Sequence, residues 1–526
     1  MEAARFDIVV IGSGLGGSAA ASVLSGLGLS ILVLERGGFV KQEKANWDIA
    51  EVAIRRRYDS GDTWLDGKGR PFSPRVYYNV GGSTKFFGGS ALRLRAGDFL
   101  THQLGGGQSI PWPYDYGELA PWYDRAEALL EVHGVAAEDP TEPPRGPFPF
   151  SPLEHEPRIA RLAEGLAAQG LHPFHLPVAI DQGDKGRCIK GSPCDGFPCM
   201  VRAKGDAENR ILRPLFLRKE PGLSLWTESR ATKIETDASG ARATAVIVRR
   251  ENREFRVEAD TFILSAGAAN SAALLLASAS QEHPKGLGNS SGQVGRNFMS
   301  HLNTVILALS PFESNPTKFQ KTLAIHDWYG GRDGEAGLGA IQTRGKVRPE
   351  NLAGKGGFLR SSLRKPIAAR SVDFWLMSED LADPDNRVSV DRDGRIHLDR
   401  HLSNEANHRA LIARTKDALR RAGLPIALID ERGISAIQHQ CGTLRFGTDP
   451  RDSVLDPFCK FHDLENLYAL DASFMPSAGA VNPSLTILAQ CLRAANRLRE
   501  SLAGSAAPAA TAAPAATPAP AAPKGE

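Results

Sequence analysis

Apolar and polar positions follow a regular pattern at the start of the chain. Residues 5–38 alternate between an apolar β-branched run at Ile8–Ile11, a glycine turn, a helix of small residues and a second apolar run at Ser30–Leu34. Short apolar runs on either side of a helical segment are typical of an α/β unit. This pattern predicts strand, turn, helix and strand in that order.

Later segments predict strands of another kind. Residues 231–278 alternate in the manner of strands around the turn DASG, and then reach a glycine-rich turn and an apolar helix. The stretch RVSVDRDGRIHLD, at 387–399, predicts a hairpin with an Asp-Gly turn. Residues 100–200 are rich in glycine and proline, which indicates long loops around short helices, and an amphipathic helix is expected at about 484–502.

Composition limits the class of protein. The chain has 526 residues, of which 42% are apolar and 23% charged, and its formal net charge is +3. This length exceeds one hydrophobic core and predicts two domains. The charge is too small to favour nucleic acid or an anionic membrane. No signal peptide or membrane-spanning run is evident, and six cysteines suit a reducing compartment, so we expect a soluble cytoplasmic protein.

The end of the chain has a different composition. Residues 504–526 consist almost entirely of alanine, proline and threonine, which can build neither a stable helix nor a core. We expect a disordered tail. A neutral solubilising role and a tether to a partner are the alternatives, and the first is favoured.

The first glycine turn predicts a dinucleotide site. Gly12, Gly14 and Gly17 have the spacing GxGxxG between a strand and a helix, and Glu35 follows the second strand. Such glycines let the backbone approach a pyrophosphate at a helix N-terminus, where unpaired N–H groups favour negative charge. An acidic residue at the position of Glu35 accepts hydrogen bonds from a ribose diol and disfavours NADP. FAD and NAD share this pattern, so other parts of the chain must decide between them.

Five further motifs resemble one family. They are VGGST (80–84), SAGAANSAALLLAS (265–278), GNSSGQVGRNFMSH (288–301), HQCGTLRFG (439–447) and the segment 466–495. With the first glycine turn and in this order, they resemble the glucose-methanol-choline (GMC) oxidoreductases, FAD enzymes that oxidise alcohols. The stretches GGSTKFF and CDGFPC look like bacterial pyranose-oxidase-like enzymes that oxidise the C3 hydroxyl of sugars and C-glycosides.

The resemblance implies a fold class and a domain division. We expect an α/β protein, α+β overall, with an FAD-binding Rossmann-like domain and a substrate domain on a mostly antiparallel sheet. The FAD domain would comprise 1–100, 201–304 and 435–503, and the substrate domain 101–200 and 305–434.

The resemblance also assigns cofactor residues. Gly12, Gly14, Gly17 and Glu35 would hold the ADP half of FAD. The other cofactor residues would line the adenine (Thr232), pass beside the flavin (Gly82, Ser83, Lys85), bind the pyrophosphate–ribityl region (Asp471, Ala472) or lie near the flavin ring (Asn482, Pro483). Because no histidine lies between Gly81 and Leu100, where pyranose 2-oxidases attach FAD, non-covalent binding is expected.

Alcohol oxidation needs a base, and His439 is the candidate. A neutral imidazole suits this task because its unperturbed pKa lies near the working pH. Asn482 would hydrogen-bond the substrate oxygen, which corresponds to the His–Asn version of the family's catalytic pair. A lone histidine in a turn more often satisfies backbone groups, but the motif around His439 favours catalysis.

The predicted reaction is oxidation of a secondary hydroxyl of a sugar or glycoside to the ketone, with oxygen or another soluble acceptor reoxidising the cofactor. The alternatives are a choline-like, aryl or sterol alcohol, a non-redox lyase on the same fold, and a subunit that passes electrons to a partner. The sequence leaves open whether the chain forms a homo-oligomer.

His301 and a group of three cysteines are further candidates for a functional role. Packing is favoured over substrate contact for His301. Cys188, Cys194 and Cys199 do not match a standard metal or iron–sulfur spacing, so a structural cysteine pair or free thiols are favoured and no metal is expected.

Overall fold

A computed structural model describes residues 2–183, 186–191, 193–331, 336–353, 360–431 and 437–505. The predicted tail therefore lies outside the described residues from residue 506 onward. The helices are α1 (Leu15–Leu24), α2 (Tyr116–Leu130), α3 (Pro157–Ala167), α4 (Arg213–Leu217), α5 (Ala268–Ala277), α6 (Ser361–Arg370), α7 (Glu405–Arg421) and α8 (Ser484–Ser505).

The strands in the first half of the chain are β1 (Glu2–Ile11), β2 (Ile31–Leu34), β3 (Trp64–Asp66), β4 (Pro71–Phe72), β5 (Gln103–Leu104), β6 (Gly107–Gln108), β7 (Pro173–His175), β8 (Leu223–Trp226), β9 (Ser229–Thr236), β10 (Ala243–Arg250) and β11 (Arg253–Leu264). Those in the second half are β12 (Leu302–Leu309), β13 (Leu323–Ile325), β14 (Ala340–Thr343), β15 (Ser371–Ser378), β16 (Arg387–Val390), β17 (Ile396–Asp399), β18 (Ile426–Glu431) and β19 (Leu467–Ala469).

A seven-stranded sheet contains the predicted α/β unit. Its order is β8-β2-β1-β11-β10-β9, and β19 pairs with β11. The pairs that involve β1, β2, β8 and β19 are parallel, whereas β9, β10 and β11 form an antiparallel meander. The four residues of β2 are all buried, as a central parallel strand requires. The carboxyl ends of β1, β2 and β11 therefore meet at one edge, where α/β sheets bind ligands.

A second sheet has six strands in the order β18-β12-β15-β14-β13-β7, and every pair is antiparallel. Apolar side chains of α3 and α7, such as Ile159 and Leu411, pack on this sheet. The predicted combination of an α/β unit with a mostly antiparallel second sheet is confirmed. The predicted hairpin is also present, because β16 and β17 pair in antiparallel fashion around Gly394, which has φ +74°.

Candidate active site

The first glycine turn is packed so closely that two of its glycines cannot carry a side chain. Gly12 has φ +107°, and a Cβ there would lie 2.2 Å from the carbonyl oxygen of Ser265, just after β11. A Cβ on Gly17 would lie 1.9 Å from the carbonyl oxygen of Gly12. These contacts bring the start of α1 directly onto the sheet edge.

Gly14 differs from its neighbours because a Cβ there would meet no protein atom within 4 Å. It is the N-cap residue of α1, and the first turn of this helix carries no acidic side chain. Gly82 of the second glycine turn comes close, since its Cβ would lie 3.0 Å from the Gly14 Cα. Open space in front of unpaired helical N–H groups fits a pyrophosphate.

Glu35 ends the first α/β unit and is 6% exposed. Its Oε2 accepts hydrogen bonds from the backbone N–H of Ser13 (3.1 Å) and from its hydroxyl (2.5 Å), and its Oε1 accepts from the N–H of Gly37 (3.0 Å). Burial raises the pKa of this carboxyl group. Gly81 donates its N–H to the Ser13 hydroxyl, so Glu35 also positions the second turn. Gly12, Gly14, Gly17, Glu35 and Gly82 thus lie together at one edge of the sheet.

The second glycine turn runs through a short helical turn, Gly82–Lys85. Ser83 is exposed, whereas Lys85 is buried. The Lys85 ammonium donates to Glu208 at 2.5 Å and contacts Asp206 at 3.3 Å. The side chain of Lys85 therefore fixes the position of the turn through buried ion pairs with Glu208 and Asp206, which lie far away in sequence. This role is separate from the predicted position of its backbone beside the flavin.

Asp471 holds two turns together at the same sheet edge. One carboxylate oxygen accepts from the N–H of Gly267, at the start of α5, and from the Ser271 hydroxyl, while the other accepts from the N–H of Ser473. Ala472, which is buried, accepts a hydrogen bond from the N–H of Gly442 in the HQCGT stretch. The stretch that carries His439 is thereby tied to the end of β19.

Thr232 lies three residues after Ser229, which donates its N–H to the carbonyl oxygen of Glu35. It belongs to β9, at the edge of the seven-stranded sheet, and its hydroxyl donates to the carbonyl oxygen of Ile247 in β10 at 3.2 Å. This hydroxyl is used within the sheet.

His439 has the left-handed conformation with φ +65°, which is uncommon for a residue other than glycine. Its neighbours are fixed on both sides, since Gln438 accepts from the Ser300 hydroxyl at 2.7 Å and Cys441 exchanges backbone hydrogen bonds with Met299. The turn residues around His439 therefore hold an imidazole out of regular structure in a defined position.

A chain of hydrogen bonds defines the tautomer of His439. The Nε2 of His301 lies 2.8 Å from the carbonyl oxygen of Gly479, which can only accept, so this nitrogen carries the proton. The Nδ1 of a neutral His301 is then an acceptor, and it lies 2.9 Å from the Nδ1 of His439. His439 must donate from Nδ1, which leaves the lone pair on its Nε2 free.

Both rings are neutral. Burial lowers the pKa of His301. Burial likewise lowers the pKa of His439 well below its usual value, and its proximity to His301 and to the Lys321 ammonium lowers it further. A neutral histidine with a free Nε2 can accept a proton from a bound alcohol.

Asn482 lies just before α8 and three residues after Gly479. Its Oδ1 is buried and has no hydrogen-bond partner among the described residues. Pro483 beside it is buried as well. An unpaired buried amide oxygen is costly, which indicates a ligand at this position.

Buried acidic side chains fix the loop before Asn482. Gly479 donates its N–H to Glu379 at 3.0 Å, and Ala480 donates to the Tyr329 hydroxyl at 3.1 Å. Tyr329 in turn donates to Asp98 at 2.7 Å. Burial and the charge of Glu379 raise the pKa of Asp98 to about 6.

Sequence reasoning missed Glu379, Tyr329 and Asp98, and for His301 it favoured packing without predicting the contact with His439. The sequence contained one usable signal, because His301 immediately precedes the buried strand β12, where a polar ring requires a partner.

Cys188, Cys194 and Cys199 are free thiols that line one small cavity with Lys204 and Phe319. Among the described residues, no group of three or more His, Cys, Asp or Glu side chains is placed to hold a metal. Within the same part of the chain, no helix has the length and apolar character required to cross a membrane.

Comparisons with known proteins find one family and several relatives. Two family models, both described as GMC oxidoreductase, match residues 79–303 and 384–490. Paromamine 6'-oxidase of Streptomyces fradiae is 33% identical, over 94% of this chain and 92% of the relative. The 6'''-hydroxyparomomycin C oxidase of Streptomyces lividus is 31% identical, over 95% and 93%. The fructose dehydrogenase large subunit of Gluconobacter japonicus is 26% identical, over 95% and 99%.

Solved structures show a similar fold. The crystal structure of pyridoxine 4-oxidase from Mesorbium loti superposes with a TM-score of 0.65 at 19% identity, over 94% of this chain and 99% of the other.

Proposed function

Because the chain belongs to the GMC oxidoreductase family, and is therefore an FAD-dependent alcohol or sugar oxidoreductase, we propose that it oxidises a secondary hydroxyl of a sugar or glycoside to the ketone. The observation that carries this proposal is the hydrogen-bond chain from Gly479 through His301 to His439, which leaves one imidazole nitrogen free as a base. The similarity to paromamine 6'-oxidase and fructose dehydrogenase favours a sugar. C3 is the proposed position, from the likeness of GGSTKFF and CDGFPC to pyranose-oxidase-like enzymes.

The described residues fit FAD. The open space at Gly14, the buried carboxylate of Glu35 and the unpaired Oδ1 of Asn482 are suited to a pyrophosphate, a ribose and a hydrogen-bonding group near the flavin ring, respectively. When bound, FAD supplies the acceptor for the hydride that leaves the alcohol carbon.

In this proposal, His439 and Asn482 act on the substrate oxygen. The Nε2 of His439 accepts the hydroxyl proton while its Nδ1–H remains donated to His301, so no hydrogen bond in the chain has to change. The side-chain amide of Asn482 donates to the same oxygen and orients the carbon. His301 is a positioning residue, because it fixes the ring of His439 and its tautomer.

The sheets support a domain division. We propose that 1–100, 201–304 and 435–503 form the FAD domain, since all strands of the seven-stranded sheet come from these segments. Segments 101–200 and 305–434 provide the antiparallel sheet, although β12 begins earlier, at Leu302. The small sheet of β16, β17, β3 and β4 joins the two parts.

An anaerobic substrate panel tests the function. We expect sugars and glycosides to bleach the oxidised flavin band in stopped-flow mixing, and choline, aryl alcohols and sterols to leave it unchanged. NMR of the product would show a ketone at C3. An aldehyde at C6 would instead support a second candidate, oxidation at the position that the name paromamine 6'-oxidase gives for that relative. No bleaching by any alcohol would favour a lyase. Reoxidation rates with oxygen and with a quinone then identify the acceptor.

The pKa of His439 predicts the pH dependence. A base whose pKa lies well below 6.5 stays neutral through pH 7, so kcat/KM should be flat above pH 6.5 and fall only in more acidic solution. The groups facing the ring are His301 and the Lys321 ammonium, and their proximity disfavours a second proton on His439. The measurement is kcat/KM for the best sugar between about pH 4 and pH 9. A rise of kcat/KM centred above pH 7 would contradict this assignment.

A further inference from the structure

A cluster of three charged side chains, of which Lys321 is buried and Asp195 and Arg344 are partly buried, lies beside the second glycine turn. The Lys321 ammonium contacts the Asp195 carboxylate at 2.7 Å, and the Nε of Arg344 lies 4.0 Å from the other oxygen of Asp195. Asp195 also accepts the N–H of Gly345 at 2.6 Å. The side chain of Lys321 is 4% exposed.

The cluster has an excess of positive charge and of hydrogen-bond donors. Two cations share one carboxylate, and they lower the pKa of Asp195 far below its usual range, so it stays ionised. Within the described part of the chain, the Lys321 ammonium donates one hydrogen bond, although it carries three N–H groups. The Nε of Arg344 is buried and finds no hydrogen-bond partner in the segments that the structure describes. Buried donors of this kind require an acceptor.

The position of the cluster relates it to the candidate active site. A Cβ on Gly88 would lie 1.9 Å from the Lys321 ammonium and 2.0 Å from the Asp195 carboxylate, so the ion pair rests on the backbone just after the turn Gly82–Lys85. The charge of Lys321 also reaches His439, whose pKa it helps to lower.

Another buried lysine fixes the loop that carries Asp195. The Lys204 ammonium donates to the carbonyl oxygens of Phe87, Cys194 and Phe197, each at 2.7 Å. Gly196 donates its N–H to Phe86. The segment CDGFPC is therefore held on the turn next to the proposed flavin site, and Lys204 has no donor left over, in contrast to Lys321.

We infer that Lys321 and Arg344, held by Asp195, form the subsite that binds the oxygen atoms of the sugar next to the reacting carbon. This inference rests on the proposed function and defines the substrate class. Hydroxyl and carboxylate oxygens accept hydrogen bonds from both cations, whereas an ammonium group placed there would meet positive charge without an acceptor. The subsite therefore favours a neutral or acidic group and disfavours an ammonium group on the carbons next to the reacting one, whereas amino groups elsewhere in a sugar are compatible with it.

The unmodified enzyme provides the first test. The second-order rate constant of anaerobic flavin reduction is measured for methyl glucoside, its uronic acid and its 2-amino-2-deoxy analogue. We expect the first two to react at least about 10-fold faster than the amino sugar. The photoreduced enzyme binds these sugars without turnover. Calorimetric titration of this form should rank the three sugars in the same order, with the highest Kd for the amino sugar. A preference for the amino sugar in both measurements would overturn the inference.

Variants provide the second test. Lys321→Gln should weaken binding of methyl glucoside to the reduced enzyme by about 10- to 100-fold, the usual effect of losing a charged hydrogen bond. Lys321→Gln should also reduce the difference in Kd between methyl glucoside and the amino sugar. Lys321→Arg keeps the positive charge and should retain this difference. Lys318→Gln is the matched control because Lys318 is exposed and three residues away.

The outcomes separate this inference from the function on which it rests. Flavin content and thermal unfolding identify a variant that fails to fold, in which case the wild-type panel decides. If no sugar bleaches the flavin, the proposed function and the inference are both contradicted. If sugars bleach it but Lys321→Gln binds both classes as the wild type does, only the inference is overturned.

Discussion

Replacing His439 by alanine is expected to slow anaerobic flavin reduction by about 10²–10⁴-fold, the usual contribution of a general base, while FAD remains bound. The hydrogen-bond chain through His301 leaves only Nε2 of His439 available as an acceptor, and no other described group takes over this role in the same geometry. The measurement is the limiting rate of flavin bleaching at saturating sugar, with the visible spectrum as the record of bound FAD.

Two further histidine variants show whether the loss reflects proton transfer. His301→Gln removes the ring that orients His439 but leaves the base, so its loss of rate should be smaller and should come with a shifted acid limb in the pH profile. His462→Ala is the control, because its Nε2 contacts Ser453 at 3.0 Å in another loop. Near wild-type bleaching in His439→Ala would remove His439 from the proposed role.

The pattern of apolar and turn residues was sufficient to predict those parts of the fold that form between residues close together in the sequence. The α/β unit from β1 to β2, the β16–β17 hairpin and the start of α8 at Ser484 follow from apolar periodicity and turn residues. The pairing of β1 with β11 joins segments about 250 residues apart, and apolar runs do not specify their partners. The resemblance to a family supplied this information, not the periodicity.

The same limit applies to the candidate site. His439, Asn482 and the glycines stand in recognisable motifs, whereas the side chains that orient them come from distant segments. Glu379 binds Gly479 across 100 residues, and Lys85 pairs with Glu208 across 123. A buried charge needs a partner, so the sequence implies that partners exist, but only the fold identifies them.

Gly14→Ala should weaken FAD binding and leave the protein folded. Gly14 has φ −66° and ψ −167°, which any residue adopts, and a Cβ there meets no protein atom within 4 Å. The cost to the fold is limited to a less favourable N-cap, about 1 kcal/mol. In the proposed complex, the methyl group occupies the space that the pyrophosphate needs, and overpacking of about 1–3 kcal/mol weakens FAD binding by roughly 10- to 100-fold.

Two other glycine substitutions serve as controls for the effect of Gly14→Ala on FAD binding and stability. Gly146→Ala also enters open space, but far from the first glycine turn in sequence, so both FAD content and stability should stay at the wild-type level. Gly12→Ala places a methyl group 2.2 Å from the Ser265 carbonyl oxygen at φ +107°, so the fold itself should be destabilised. The measurements are the flavin-to-protein absorbance ratio after dialysis and the thermal unfolding of the apoprotein. If Gly14→Ala retains its FAD through dialysis, the nucleotide does not lie against this turn, because no other feature of Gly14 excludes a side chain.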